Sequence, residues 1–119
     1  MQVLDPNALD ALRGLQDESD DDLLAELIDL FREDAPGRIS GMRDAIARED
    51  WVALASWAHS LKGSCGSLGA LHMAELCARL ERVGRAGGGR AEAELTFREL
   101  EGQYPLVDDA LQRERRPTH

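Results

Sequence analysis

Apolar residues recur along the chain at spacings of three and four positions, and no stretch shows the alternation of apolar and polar residues typical of a β-strand. This pattern predicts an all-α protein. Asp5 followed by Pro6 is typical of a helix start, and Asp50 can cap a helix from Trp51 to about Leu68. Several amphipathic helices with short polar connections favour an antiparallel four-helix bundle with additional short helices.

Prolines and glycines predict where the helices end. A residue before proline disfavours the helical backbone, so the helix that begins near Ser19 should end near Ala35, and a separate helix should follow Pro36. Pro105 should kink or interrupt the last helix. Glycines 87–89 predict a flexible connection between the last two helices.

With 119 residues, the chain has room for one hydrophobic core, and we expect a single domain over residues 1–119. Its core should span about residues 4–111, with a frayed tail at 112–119. Cys65 and Cys77 lie in helical patterns without metal-binding spacing, so we interpret them as buried free thiols.

Composition restricts the class of protein. A hydrophobic fraction of 43% and a charged fraction of 31% are typical of a soluble globular chain, and no apolar run is long enough to insert into a membrane. The first residues lack the pattern of a signal peptide, which favours a cytoplasmic location. The net charge of −9 argues against a nucleic-acid partner. Residues 17–34 carry nine acids and one arginine, so the charge is concentrated there.

The stretch from Trp51 to Gly69 holds the candidate chemistry. His59 lies outside its apolar face, and the residues one or two helical turns away on the same side are small except for Lys62. The predicted core face consists of Leu54, Trp57, Ala58, Leu61, Cys65 and Leu68, and the small neighbours of His59 are Ala55, Ser56, Gly63 and Gly66.

Glycine inside a helix costs about 1 kcal/mol relative to alanine, so Gly63 and Gly66 require a reason other than helix stability. Close approach of a second protein to His59 supplies one. A neutral imidazole offers a nitrogen lone pair for attack on phosphorus. Lys62, the only lysine in the sequence, can donate to phosphoryl oxygens.

These residues resemble the motif of the histidine phosphotransfer (HPt) domains, H-x-L-K-G-[SA]-x-x-x-L-G. The flanking segments FREDAPGRI and ELCARLE also resemble the family, and the likeness extends over about residues 4–111. The matching residues, without a departure inside the motif, are His59, Leu61, Lys62, Gly63, Ser64, Leu68 and Gly69.

The resemblance implies a phosphoryl carrier of a bacterial-type two-component relay, without kinase activity of its own. It implies that His59 is phosphorylated, that Lys62 contacts the phosphoryl group and that Gly63 leaves room beside the ring. The implied partners are a response-regulator receiver domain, which holds the aspartate and Mg²⁺, and a hybrid sensor histidine kinase. We expect a monomer that binds no cofactor.

A helical bundle of this size could also serve two other functions. A di-iron bundle needs a Glu-x-x-His motif, but Ser56 and Gly69 stand three residues before His59 and His72. We therefore expect no metal site. The other alternative, a helical adaptor that binds a receiver or sensor kinase without being phosphorylated, is left open by the residue pattern.

Overall fold

Five α-helices make up the described part of the chain. Consecutive helices from α2 to α5 pack against each other, α2 also contacts α5, and α1 lies against α2. Because short loops at 49–50, 68–70 and 86–89 join the four long helices, they run antiparallel, which confirms the predicted four-helix bundle. The computed structural model describes residues 3–15 and 23–115, with α1 (Pro6–Leu15), α2 (Leu23–Arg48), α3 (Trp51–Ser67), α4 (Leu71–Arg85) and α5 (Arg90–Glu114).

The two predicted helix caps are confirmed. The Asp5 carboxylate accepts a hydrogen bond from the backbone N–H of Asn7 at 3.1 Å, and the Asp50 carboxylate accepts one from Ala53 at 3.1 Å. Each bond satisfies a donor that the first turn of a helix leaves without a partner. The helix start predicted near Ser19 lies outside the described residues.

The predicted break at Pro36 is wrong, because α2 continues through it from Leu23 to Arg48. Ala35 and Ile39 are buried on either side of the proline, so one helix face packs into the core without interruption. Pro36 itself is exposed. On that side, water can bind the carbonyl group that loses its helical partner, and core packing outweighs the cost of the proline.

Pro105 likewise fails to interrupt α5. The proline is exposed, whereas Leu100, Val107 and Leu111 on the opposite side are fully buried. The helix extends into the predicted tail as far as Glu114, and the Arg115 guanidinium donates two hydrogen bonds to Asp29 of α2, at 2.6 and 2.8 Å. Residues 116–119 lie outside the described residues.

Trp57 is the one residue of the predicted α3 core face that the core does not enclose. Its exposed fraction is 40%, whereas Leu54, Ala58 and Leu61 are fully buried. The indole packs over Gly41 of α2, where a Cβ atom would lie 2.5 Å from the ring. Trp57 therefore covers the edge of the core.

Within the described residues, no helix is both long and apolar enough to span a bilayer.

Glycine at position 84 allows α3 and α4 to approach closely. A Cβ atom there would lie 2.6 Å from the carbonyl oxygen of Trp51 and 2.8 Å from the backbone nitrogen of Ala55. Both contacts are with backbone, which cannot move aside as a flexible side chain could. The distance between the two helices at this level is therefore set by the absence of a side chain on Gly84.

We expect Gly84→Ala to destabilise the bundle by about 1–3 kcal/mol, because the added methyl group overpacks the contact between α3 and α4. Gly102→Ala is the matched control, since Gly102 lies inside α5 with nothing within 4 Å of its added Cβ. That change should stabilise the protein by up to about 1 kcal/mol. Urea unfolding measures both free energies, and equal stability of the two variants would contradict the close packing.

Candidate functional site

Helix α3 presents His59 on the side opposite its buried face. Leu61 and Cys65, on that buried face, have no exposed surface. The His59 side chain, in contrast, is 64% exposed. This arrangement follows from the helical period, since the angular position of His59 on the helix lies outside the face formed by the residues that point into the core. The imidazole is therefore accessible on a rigid element of the bundle.

A buried carboxylate on α4 holds the inner nitrogen of this ring. Nδ1 of His59 lies 3.1 Å from Oε2 of Glu81, whose side chain is only 7% exposed. A carboxylate can only accept, so Nδ1 must carry the hydrogen of this bond. In the neutral ring that hydrogen leaves the lone pair on Nε2. No described residue contacts Nε2 through a hydrogen bond.

Two cationic side chains also bind Glu81. Lys62 donates from Nζ to Oε1 at 2.6 Å, and Arg85 donates from Nη2 to Oε2 at 2.5 Å. The hydrogen bond from Lys62 lowers the pKa of Glu81 against the opposing effect of burial, and the positive charge of Arg85 and the bond from His59 lower that pKa further. Glu81 is thus an ionised carboxylate with a donor at each oxygen.

The surface beside His59 is nearly bare of side chains. Cβ atoms added at Gly63 or Gly66 would meet nothing within 4 Å, and Ser56 is exposed. Val52, about two turns before His59, is 81% exposed. A shallow groove between α3 and the end of α4 adjoins the imidazole, and its lining consists of Val52, Ala55, Ser56, His59, Gly84 and Arg85.

The structure brings together the site residues named from the sequence. His59 and Lys62 meet at Glu81, Ala55 and Ser56 line the groove, and Gly63 and Gly66 form the open surface on the other side of the ring. Chemically, the arrangement offers one accessible nitrogen nucleophile with fixed orientation and a cation one helical turn away.

Glu81 and Arg85 were not identified as site residues from the sequence. A signal was present, because Glu81 is four residues after Cys77 and three before Gly84, on the face of α4 that is otherwise apolar. An acid at such a position needs a charged partner across the helix interface.

Other candidate groups lie apart from this site. Cys65 and Cys77 are free and buried, as predicted. Their mutual hydrogen bond and burial raise the pKa of the Cys65 thiol, so it stays protonated. His72 is partly exposed and lies 3.6 Å from Glu99. Among residues 3–15 and 23–115, no three histidine, cysteine or acidic side chains are placed to share a metal ion.

Comparison with known proteins places this site in a family. The Hpt domain family matches residues 26–116. Histidine-containing phosphotransfer protein 5 of Arabidopsis thaliana is 38% identical over 74 residues, which are 60% of this chain and 47% of that protein. Multistep phosphorelay regulator 1 of Schizosaccharomyces pombe is 28% identical over 83 residues, 70% of this chain and 28% of that protein. The chain thus spans less than half the length of these relatives.

A solved structure extends the likeness to the whole fold. The crystal structure of histidine-containing phosphotransfer protein B (HptB) from Pseudomonas aeruginosa PAO1 superposes with a TM-score of 0.82 at 29% sequence identity. The alignment covers 95% of this chain and 94% of that one. From the family match over most of its length and this structural likeness, the chain belongs to the Hpt domain family.

Proposed function

We propose that this chain is a histidine phosphotransfer module that carries a phosphoryl group on Nε2 of His59. The observation that supports the assignment best is the hydrogen bond from Nδ1 to the buried Glu81 carboxylate, which directs the lone pair to the exposed nitrogen. The names of the relatives, which include a phosphorelay regulator, point to the same activity.

The transfer step needs no proton movement at Nε2. The lone pair of Nε2 forms the N–P bond while the P–O bond to an aspartyl phosphate of the donor breaks, and the aspartate leaves as a carboxylate. In the forward relay, an aspartate of the acceptor attacks the same phosphorus atom and the N–P bond breaks. Nδ1 of His59 keeps its hydrogen and its hydrogen bond to Glu81 throughout, so the ring retains one orientation.

Lys62 is the residue that contacts the phosphoryl group in this proposal. Its Nζ lies one helical turn from His59 and is already at the site through its bond to Glu81. A compact ammonium group can neutralise charge on the phosphoryl oxygens, and charge stabilisation with positioning accounts for most of the catalysis of this reaction.

The proposed partners are a response-regulator receiver domain and a hybrid sensor histidine kinase. The Mg²⁺ and the aspartate belong to the receiver, and this chain acts as a carrier without cofactor or kinase activity. The receiver would dock over Gly63, Gly66 and the groove at Ala55 and Ser56, where few side chains obstruct it. We place the relay in a bacterial cytoplasm, with the carrier as a monomer.

We expect His59→Gln to fold but to take no phosphoryl group from a phosphorylated receiver. The side chain is mostly exposed, and Glu81 keeps its bonds to Lys62 and Arg85. Intact mass and radiolabel measure the transfer, and the wild-type label should be lost in acid and survive alkali, as a phosphoramidate does. Wild-type protein that binds the receiver without gaining label would instead identify a non-phosphorylated adaptor.

Gly63→Leu should preserve or raise stability yet strongly slow exchange with receivers. Leucine favours the helix over glycine by most of 1 kcal/mol, but its side chain would block approach to the imidazole. Gly102→Leu is the matched control, because both positions are open and helical and only Gly63 is near His59. Transfer rates and melting temperatures measure both effects. Equal transfer by the two variants would show that the receiver docks elsewhere.

Glu81→Gln should loosen the His59 ring and slow transfer, because an amide no longer favours the hydrogen on Nδ1. Nitrogen-15 chemical shifts of His59 report the two tautomers, and their ratio should move toward Nε2–H. Glu75→Gln is the control, since Glu75 lies on the same helix, is exposed and bonds only Arg79 among the described residues. An unchanged tautomer ratio in Glu81→Gln would contradict the orienting role.

The lowered pKa of Glu81 also predicts how stability depends on pH. Its stabilisation of the folded state is fully present above the ordinary value of 4.5 and is lost as pH falls through the lower pKa of the folded protein. The difference in unfolding free energy between wild type and Glu81→Gln should therefore shrink below that pH. Denaturant unfolding at stepwise lower pH measures this difference.

A further inference from the structure

The three donors at Glu81 are unequally distributed over its two oxygens. Lys62 alone occupies Oε1, while His59 and Arg85 share Oε2. In the unphosphorylated protein, the cation that the proposed function assigns to the phosphoryl group is therefore already bound to a buried carboxylate. For Lys62 to reach the phosphoryl oxygens, its bond to Glu81 must weaken or break.

Breaking that bond has an energetic consequence. Glu81 is only 7% exposed, and the hydrogen bond from Lys62 is the largest of the interactions that keep it ionised. A buried charged oxygen that loses its donor is strongly destabilised unless another donor replaces it. Because Glu81 is largely buried, a neighbouring side chain that already bonds it is better placed than bulk water to supply the replacement.

Arg85 is the side chain placed to replace it. It lies one helical turn after Glu81 on α4, and it already donates to Oε2. A guanidinium group has several donors in one plane and can bind both oxygens of a carboxylate at once, which an ammonium group cannot do. The Arg85 side chain is 67% exposed, so surrounding atoms leave it room to turn.

We infer that Arg85 is a positioning residue for phosphoryl transfer: it binds both oxygens of Glu81 when Lys62 turns to the phosphoryl group on His59. This inference rests on the proposed function. Arg85 keeps the Glu81 carboxylate paired, and the carboxylate keeps Nδ1 of His59 in place. Without Arg85, Lys62 stays on Glu81 and stabilises the transferred group less.

A second role for Arg85 would give different results. The residue lines the groove beside His59, so it could contact a docked receiver directly. Contact with a receiver would not affect phosphorylation by a small donor, and it would not depend on the charge of residue 81. Both differences can be measured on the full chain.

The experiment labels the protein with phosphoramidate, a small donor that needs no docking. Nε2 of His59 forms the N–P bond, the P–N bond of the donor breaks, and ammonia leaves. We expect Arg85→Gln to slow labelling about tenfold, which corresponds to about 1.4 kcal/mol in the barrier. The labelling rate of Arg85→Lys should fall between those of wild type and Arg85→Gln, because lysine keeps the charge but binds one oxygen at a time.

A double-mutant cycle then tests whether Arg85 acts through Glu81. In the Glu81→Gln background no carboxylate holds Lys62, so Arg85→Gln should change the labelling rate by less than about twofold. Arg79→Gln is the matched control, since Arg79 lies on α4 and pairs with the exposed Glu75. It should label like wild type. Melting temperatures of all variants verify that each one is folded.

The outcomes separate the two claims. Normal labelling of Arg85→Gln by phosphoramidate, or an equal loss in the Glu81→Gln background, overturns the inference about Arg85. Absence of label on wild-type His59, or equal label on His59→Gln, overturns the proposed function instead. Slow labelling of Arg85→Gln that disappears in the double variant supports the inference.

Discussion

The buried carboxylate of Glu81 is the interaction on which the arrangement of the site depends. It lies between α3 and α4 and accepts hydrogen bonds from His59, Lys62 and Arg85. Removing a carboxylate from water is costly, and these three donors offset that cost only if they stay close. The buried carboxylate therefore fixes the orientation of the exposed imidazole without covering it. An orienting group on the solvent side would have obstructed access to Nε2.

Close packing of the two helices makes this geometry possible. Gly84, one turn after Glu81 on α4, brings the helix against the backbone of α3 near Ala55. A larger residue there would separate the helices and lengthen the reach from Glu81 to His59. The same glycine lines the groove beside the imidazole. One small residue thus serves both the close approach of the helices and the open surface next to the imidazole.

The sequence predicted the bundle and named several residues of the candidate site, and its errors share a physical cause. Local rules placed a helix end before Pro36 and a kink or interruption at Pro105, but both prolines are exposed, and the buried faces continue past them. His59, Lys62 and the small residues were identified because they belong to one helix, where the period alone relates them. Glu81 lies on the next helix, and its approach to His59 depends on tertiary packing that no local sequence pattern predicts.

The placement of Trp57 also shows that local spacing does not determine tertiary packing. Helical spacing assigned it to the core face, yet its ring lies at the boundary over Gly41 of α2 and remains 40% exposed. Helical periodicity gives the direction in which a side chain points, but burial also depends on which residue of the neighbouring helix it packs against. At Gly41 that partner has no side chain, so the indole rests on backbone at the edge of the bundle. A small residue on one helix thus shapes the exposed surface of the helix next to it. Gly41 of α2 does so at Trp57, and Gly84 of α4 does so in the groove beside His59.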